Sequence, residues 1–360
     1  MLLDKIPSHL ATAGHSAPSA DNAQPWHFTW DGAQLLTEYD TTRVAATTFP
    51  PDSPAVLLSL GAVIENFTLT AEHGEFELGS QFTADDGSVK PSVTTQFSGG
   101  GPASNSLLDN PAAQRHTNRK AYKRTALPSA VVAALTATRR GSAGAICFQA
   151  PGDIKTLATL SQSAGQIRFQ TQEVHEWLAA SLRFTTEEVN RGDGMDVRTL
   201  DLPPGGAQFL QFTSDWRRMA MLNKIGAHRF MAMVDSAPLK AAPALVAILG
   251  PATRAGAIDA GRLLSRTWTS LNGQGIAVHP YYVIADQLIR LAEKKIPQQL
   301  IESAQELKHS TDHFFGLTPG TRLYMLLRVG YPVHEVLRSR RLPIHRVFAD
   351  LTQSGQCSGE

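Results

Sequence analysis

Cysteine is nearly absent: Cys147 and Cys357 are the only two in 360 residues. They lie far apart in sequence, and Cys357 sits in a polar tail of Ser, Gly and Gln. Neither a disulfide framework nor a zinc site fits that pattern, which suits a reducing compartment and predicts a cytoplasmic protein. A charge excess is missing too, with 33 Lys and Arg against 32 Asp and Glu. That balance argues against a nucleic-acid partner. No stretch reads as approaching the ~20 apolar residues that span a bilayer, and no membrane partner is expected. The start, Met1-Leu2-Leu3-Asp4-Lys5, lacks the apolar run of a signal peptide. There is no Gly-x-Ser-x-Gly elbow. Asn272-Gly273-Gln274-Gly275 follows a helix and lacks the third glycine of a dinucleotide fold. The 12 histidines are scattered. His309 and His313 have helical spacing but no carboxylate pattern beside them, so no metal is expected.

Against these absences stand a hydrophobic content of 42% and a length that suggests about two domains or one large one. The stretch Ala17-Pro18-Ser19-Ala20-Asp21-Asn22-Ala23-Gln24-Pro25-Trp26-His27-Phe28 reads as a loop feeding a strand. Pro18 and Pro25 keep a helix from running through it. Ser19, Asp21 and Asn22 favour side-chain-to-backbone bonds that hold turns. Bulky residues on both sides of Asp31-Gly32 form the strongest hairpin signal in the chain, with Trp26 in its core. The loop presents hydroxyl, amide and N–H groups that suit a flat polar heteroaromatic edge. A well-capped turn with no ligand is the alternative.

Around that loop the chain reads as follows. A short helix over 1–16 ends near Gly14. Ala55–His73 has helical periodicity, with Gly74 as its stop. Strands are predicted at Glu75–Leu78 and Val93–Phe97. Ser98–Asn110 reads as a connector, and its Gly99-Gly100-Gly101 run could also touch a phosphate. A helix follows from Ser129 to Leu135, a strand over Ala145–Phe148, and a helical zone over Gly152–Val189. Residues 191–208 form an extended loop that opens into an apolar stripe of Phe209, Phe212, Trp216 and Met219. The segment 191–235 is a candidate lid, with core packing as the alternative. Pro243–Leu249 and His279–Ile284 are strand candidates, Ala257–Gly273 and Pro297–His309 helices, and Arg322–Val329 a central strand. Strands alternating with helices predict an α+β fold, with helices covering mixed sheets.

The string Ala17-Pro18-Ser19-x-x-Asn22-x-Gln24-Pro25-Trp26 resembles the signature loop of the nitroreductase-like flavoproteins. In that family the loop contacts the ring and ribityl chain of flavin mononucleotide (FMN), which implies Pro18, Ser19, Asn22 and Gln24 as cofactor contacts. Family subunits start with an Arg-Arg-Ser-x-Arg-like segment for the flavin phosphate, and form homodimers with two flavins at the interface. Here the similar segment, Arg115-His116-Thr117-Asn118-Arg119, comes after the loop. Leu60-Gly61-Ala62-Val63-Ile64 also resembles Ala260-Gly261-Arg262-Leu263-Leu264. The chain is thus similar to the Acg-type subfamily, in which one polypeptide imitates the dimer and keeps one flavin site. The resemblance implies a nitroreductase-like fold of two fused nitroreductase-like units. The first is 1–110, with the flavin-contacting loop 17–26. The second is 111–360, with the phosphate-binding start and the candidate lid. A monomer is compatible with such a chain.

Arg115 and Arg119, four apart, could converge on one anion through the paired donors that arginine offers phosphate. Thr117 keeps a hydroxyl donor, and His116 replaces the second arginine of the pattern. Arg340 or Arg341 could supply the rest, the resemblance favouring Arg341; Arg338 is left to the surface. His279 and Pro280 occupy the place where the family's loop passes the ring. The flavin carries the chemistry, so no catalytic side chain is expected. The expected function is an FMN-dependent oxidoreductase passing electrons from NAD(P)H to a nitro compound, quinone or similar small molecule. The alternative is an FMN-binding or sequestering stress protein with a covered flavin and little turnover.

Overall fold

A computed structural model describes residues 6–40, 43, 48–83, 91–98 and 110–353. The Gly99-Gly100-Gly101 run and Cys357 lie outside the described residues. The first half carries α1 (Ile6–His15), β1 (Trp26–Trp30), β2 (Leu35–Tyr39), α2 (Pro54–Gly74), β3 (Glu77–Thr83) and β4 (Ser92–Ser98). Next come α3 (Pro111–Gln114), α4 (Ser129–Ala137), β5 (Arg139–Arg140), β6 (Ala143–Phe148), α5 (Pro151–Arg168) and α6 (Gln172–Ser181). An excursion follows, with β7 (Leu182–Arg183), α7 (Thr186–Asn190), β8 (Met195–Asp196), α8 (Gly206–Thr213), α9 (Trp216–Asn223) and α10 (Ala227–Lys240). The chain closes with β9 (Ala244–Pro251), α11 (Arg254–Gly273), β10 (Ala277–Tyr281), α12 (Val283–Ala292), α13 (Ile301–Phe315), β11 (Thr321–Gly330) and β12 (Phe348–Asp350). The class is α+β, as expected.

The hairpin forms where its turn chemistry allows. Asp31 Oδ1 accepts from the N–H groups of Ala33 and Gln34, both at 2.8 Å, and Gly32 takes φ 100°. Trp26 pairs with Tyr39 and is fully buried. Helix α2 starts on Ser53, whose Oγ accepts from Val56, with Pro54 at its first position. It stops one residue later than expected: Gly74 is helical and Glu75 takes the left-handed cap at φ 52°. The predicted strand at His279–Ile284 ends at Tyr281, because α12 begins at Val283. Helix α12 went unread, since its apolar start continues the strand's pattern.

Two five-stranded sheets share one order. The first runs β12-β1-β2-β4-β3 and the second β5-β6-β9-β11-β10. Both are antiparallel along their last four strands. In each, a long helix, α2 or α11, joins the third strand in the order above to the fifth strand. The first sheet is mixed only through β12, which pairs parallel with β1, Phe28 opposite Phe348. The C-terminal strand therefore belongs to the first sheet, and the boundary at residue 110 does not separate the halves in space.

The two long helices cross at paired glycines. A Cβ on Gly61 would lie 2.1 Å from Ile258 O, and one on Gly261 would lie 2.1 Å from Leu58 O. Each glycine faces the residue three before the other, so the contact is two-fold symmetric. Contrary to the reading of apolar runs, α2 is long and apolar enough to cross a membrane, with a mean hydropathy of 1.4 over its best window, and 83% of that window is buried. Its central Glu65 is fully buried and takes Arg140 at 2.7 Å, Arg262 at 3.2 Å and Arg266. Asn66 beside it donates to Ala13 O at 2.8 Å and accepts from Ser265 at 2.6 Å. These bonds fix the end of α1 over the crossing, where the loop begins.

Candidate functional site

The loop after α1 is strained in a way that short polar residues tolerate. Asp21, Asn22 and Gln24 all have positive φ, at 47°, 60° and 52°. Such clusters persist only where surrounding bonds over-determine them. Gln24 supplies most of those bonds and is fully buried. Its N–H donates to Ser19 Oγ at 2.9 Å, and its Nε2 to Asn22 O and Gly192 O at 3.0 and 2.9 Å. Its Oε1 accepts from the Leu342 N–H at 3.0 Å. The Asn22 amide donates to Gly194 O and Arg340 O. Both side chains tie the loop to residues 192–194 and 340–342 instead of facing outward. Pro18 and Ser19 are half-buried beside them.

Two basic clusters flank this loop. In the first, Arg115 donates to Ser16 O at 2.9 Å, and its guanidinium lies 4.4 Å over the Trp268 ring. Arg341 donates to His15 O at 2.9 Å and to Ser16 O at 3.2 Å. Cations suit these carbonyls at the C-terminus of α1. Two cations on one carbonyl also repel. Burial lowers the pKa of Arg115 well below the usual range, helped by the charges of Arg341 and Arg338. Burial likewise brings Arg341 down to about 10. Among the described residues no carboxylate pairs with either, and Arg115 Nε is buried without a partner. His15 sits below them. Trp26 donates to its Nδ1 at 3.1 Å, and its Nε2 meets Leu342 O at 2.8 Å. Burial, then the Arg341 charge, holds its pKa near 4.

The second cluster gathers Arg119, Arg328 and His279. Arg119 donates to Thr199 Oγ1 at 3.3 Å. Burial lowers its pKa, opposed by Asp21, Tyr281 and Tyr122. Asp21 in turn accepts from Trp177 Nε1 at 2.7 Å. Arg328 is buried, donates to Lys120 O at 2.7 Å and lies 4.0 Å over the Tyr122 ring. The His279 ring is 4.4 Å from Tyr281, and its Nδ1 is buried without a partner. Its pKa falls well below the usual value through burial, then through Arg119 and Arg328. Pro280 follows it on β10, half-buried. Arg328 was missed in sequence. Its signal was a lone arginine deep in an apolar central strand.

The expected convergence of Arg115 and Arg119 on one anion does not occur. Helix α3 stops at Gln114 and Arg115 is extended at φ −57°, ψ 130°. The two arginines enter different clusters, Arg115 on Ser16 O beside Arg341 and Arg119 on Thr199 Oγ1. His116 is held locally, its N–H on Asn272 Oδ1 at 2.9 Å and its carbonyl on Trp268 Nε1. Thr117 is half-buried between the clusters, and Arg340 is exposed. Arg338, left to the surface in sequence, is exposed but acts on Arg115 by its charge.

The candidate lid divides. What closes on the site is 192–199, through Gly192, Gly194, Met195 and Thr199. The stripe beyond it does not. Met219 and Trp216 pack with Phe169, Met231 and Ala232 in a small core of their own, while Phe209 and Phe212 are exposed. A cleft of about 250 Å³ opens between the two parts, lined by Lys120, Arg198, Asp201, Pro203 and Gln208.

No family model matches the chain. It is similar to nitroreductase structures. An FMN-dependent nitroreductase from Clostridium difficile R20291 is 11% identical, with a TM-score of 0.35, covering 64% of this chain and 93% of that one. A nitroreductase with bound FMN from Bacteroides fragilis NCTC 9343 is 12% identical at 0.34, covering 67% and 96%. The FMN and NADPH-dependent nitroreductase NfnB from Sphigopyxis sp. strain HMH is 14% identical at 0.38, covering 67% and 97%. In sequence the chain is 24% identical over 273 residues to the uncharacterized protein MT1398 of Mycobacterium tuberculosis (strain CDC 1551 / Oshkosh). That match covers 75% of this chain and spans 38% of the relative's length.

Proposed function

We propose that the chain binds one FMN between its halves and works as an oxidoreductase of the nitroreductase-like kind, resembling the Acg type, with the two halves as fused units. The observation that carries this reading is the pair of Arg115, which is buried, and Arg341, which is half-buried. They reach one carbonyl from distant parts of the chain and lack a carboxylate between them. A phosphate monoester offers the charge and the acceptor oxygens that such a pair needs. The unpartnered Arg115 Nε and His279 Nδ1 fit a polar ligand that reaches from one cluster to the other. When bound, the flavin supplies the hydride and electron chemistry. Arg115 and Arg341 hold its phosphate. The loop 17–26, held rigid by Gln24, presents its backbone to the ring. Arg119 and Arg328 would supply positive charge to the ring end of the cofactor, with His279 neutral beside them. NAD(P)H is the proposed donor, a nitro compound or quinone the acceptor, and the cytoplasm the location.

A second reading, FMN held under cover with little turnover, is favoured by one observation. Residues 192–199 are bonded to both the loop and Arg119. One experiment tests both. The purified chain should release one FMN per chain, and not FAD, on denaturation. Arg115→Met and Arg341→Met should each weaken FMN binding about tenfold or more, with Arg124→Met unchanged. A chain that takes up no FMN refutes the site. FMN bound but unreduced by NADPH and NADH in stopped-flow mixing selects the covered-flavin reading.

A further inference from the structure

The helices α8–α10, which lie beyond the segment 192–199 that closes on the site, have an unusual outer face. On α10, Met231, Ala232 and Leu239 are buried, which leaves Phe230, Met233 and Val234 pointing outward along the opposite stripe. Neighbouring turns add Phe212, Met221 and Ile225, with Ile225 83% exposed and Met221 58%. Large exposed side chains gathered on consecutive helices mark an interaction surface. Its charge is one-sided. Arg217 and Arg218 on α9, Lys224 in the turn after it and Arg229 on α10 are all exposed. Arg218 lies 4.8 Å over the Phe212 ring, so basic and apolar groups are interleaved. The two acidic residues of 205–240 are already engaged. Asp215 caps its own helix, and Asp235 pairs with Arg168 at 3.3 Å.

We propose that α8–α10 is a docking surface for an anionic lipid bilayer. Amphipathic helices with Phe, Met and Ile on one side and Lys and Arg around them lie in the headgroup plane. Apolar burial adds there to attraction for acidic lipids. A second copy of this chain fits the face less well, because a two-fold contact would bring the same unpaired cations together. This inference reverses the expectation that the protein has no membrane partner. It is independent of what the site holds.

The test is sedimentation of the full chain with vesicles of phosphatidylcholine alone or mixed equally with phosphatidylglycerol. The wild type should pellet with the mixed vesicles at low salt and be released at high salt. Changing Arg217, Arg218 and Lys224 to Gln should lower partitioning about fivefold per residue. Ile225→Glu with Phe230→Glu should abolish it, while circular dichroism and the thermal midpoint stay those of the wild type, since both side chains are exposed. Wild-type protein that stays in solution with both vesicle types overturns the proposal. So does a dimer in analytical ultracentrifugation that the Ile225→Glu, Phe230→Glu variant dissociates, which would assign the face to a second copy.

Discussion

Adding one methyl group at Gly61 or Gly261 tests whether the crossing of α2 and α11 holds the two halves together. Both glycines are inside helices, where replacing glycine by alanine alone gains up to about 1 kcal/mol in helix propensity. Here that gain is overridden. Each new Cβ would sit 2.1 Å from a backbone carbonyl oxygen of the other helix, whereas real Cβ contacts stop at 3.0 Å. A backbone oxygen cannot rotate aside, so the helix axes must part by about 1 Å in a core that packs as densely as a crystal. Overpacking of this kind costs about 1–3 kcal/mol, occasionally more. We expect Gly61→Ala and Gly261→Ala each to destabilise by about 1–2 kcal/mol net of the propensity gain. The symmetry adds a sharper expectation. Parting the axes for one methyl also makes room for the other, so the double variant should cost clearly less than the sum of the two. The assay is urea denaturation followed by circular dichroism, arranged as a double-mutant cycle. Single effects below about 0.5 kcal/mol, or strict additivity, would refute the reasoning.

Three other outcomes follow from the same structure. Glu65→Gln should cost about 1–3 kcal/mol by urea denaturation, because it strips the shared, fully buried carboxylate from three arginines that are themselves only partly buried, with Arg266 keeping Glu72. His15 should make stability fall in acid. Its folded pKa is near 4 against 6.5 when free, so its contribution is complete above pH 6.5 and is lost as pH drops toward 4. His279 acts in the same direction, and His15→Gln should flatten, without removing, the slope of midpoint against pH. Gln24→Ala should free both Gly192 and Leu342, and hydrogen exchange at the Leu342 amide should speed up about tenfold. Unchanged protection would mean that other contacts hold the two segments.

Local chemistry that repeats within a few residues was legible in the chain. The Asp31 turn, the proline-bounded loop, the helix Pro54–Gly74 and the apolar core strand Thr321–Gly330 each carry their own signal. The likeness of the segments around Gly61 and Gly261 was legible too, but that the two glycines meet at a helix crossing came only from the structure. Charges could be named in the sequence but not grouped. Arg115 and Arg119, four apart, looked able to converge from a helix start or an extended turn, and the structure gives them separate partners. Arg341 joins Arg115 because β12 carries the C-terminus back to β1, a parallel pairing between residues 320 apart that no local pattern announces. Composition made the stripe from Phe209 to Met219 look like a cover. Whether an apolar residue faces a core, a site or solvent depends on what the rest of the chain places opposite it, and here the cover is the segment 192–199. The sequence by itself determined the elements and the kinds of side chain available. The tertiary structure alone decided which cations meet and which apolar face stays exposed, because both depend on contacts between distant residues.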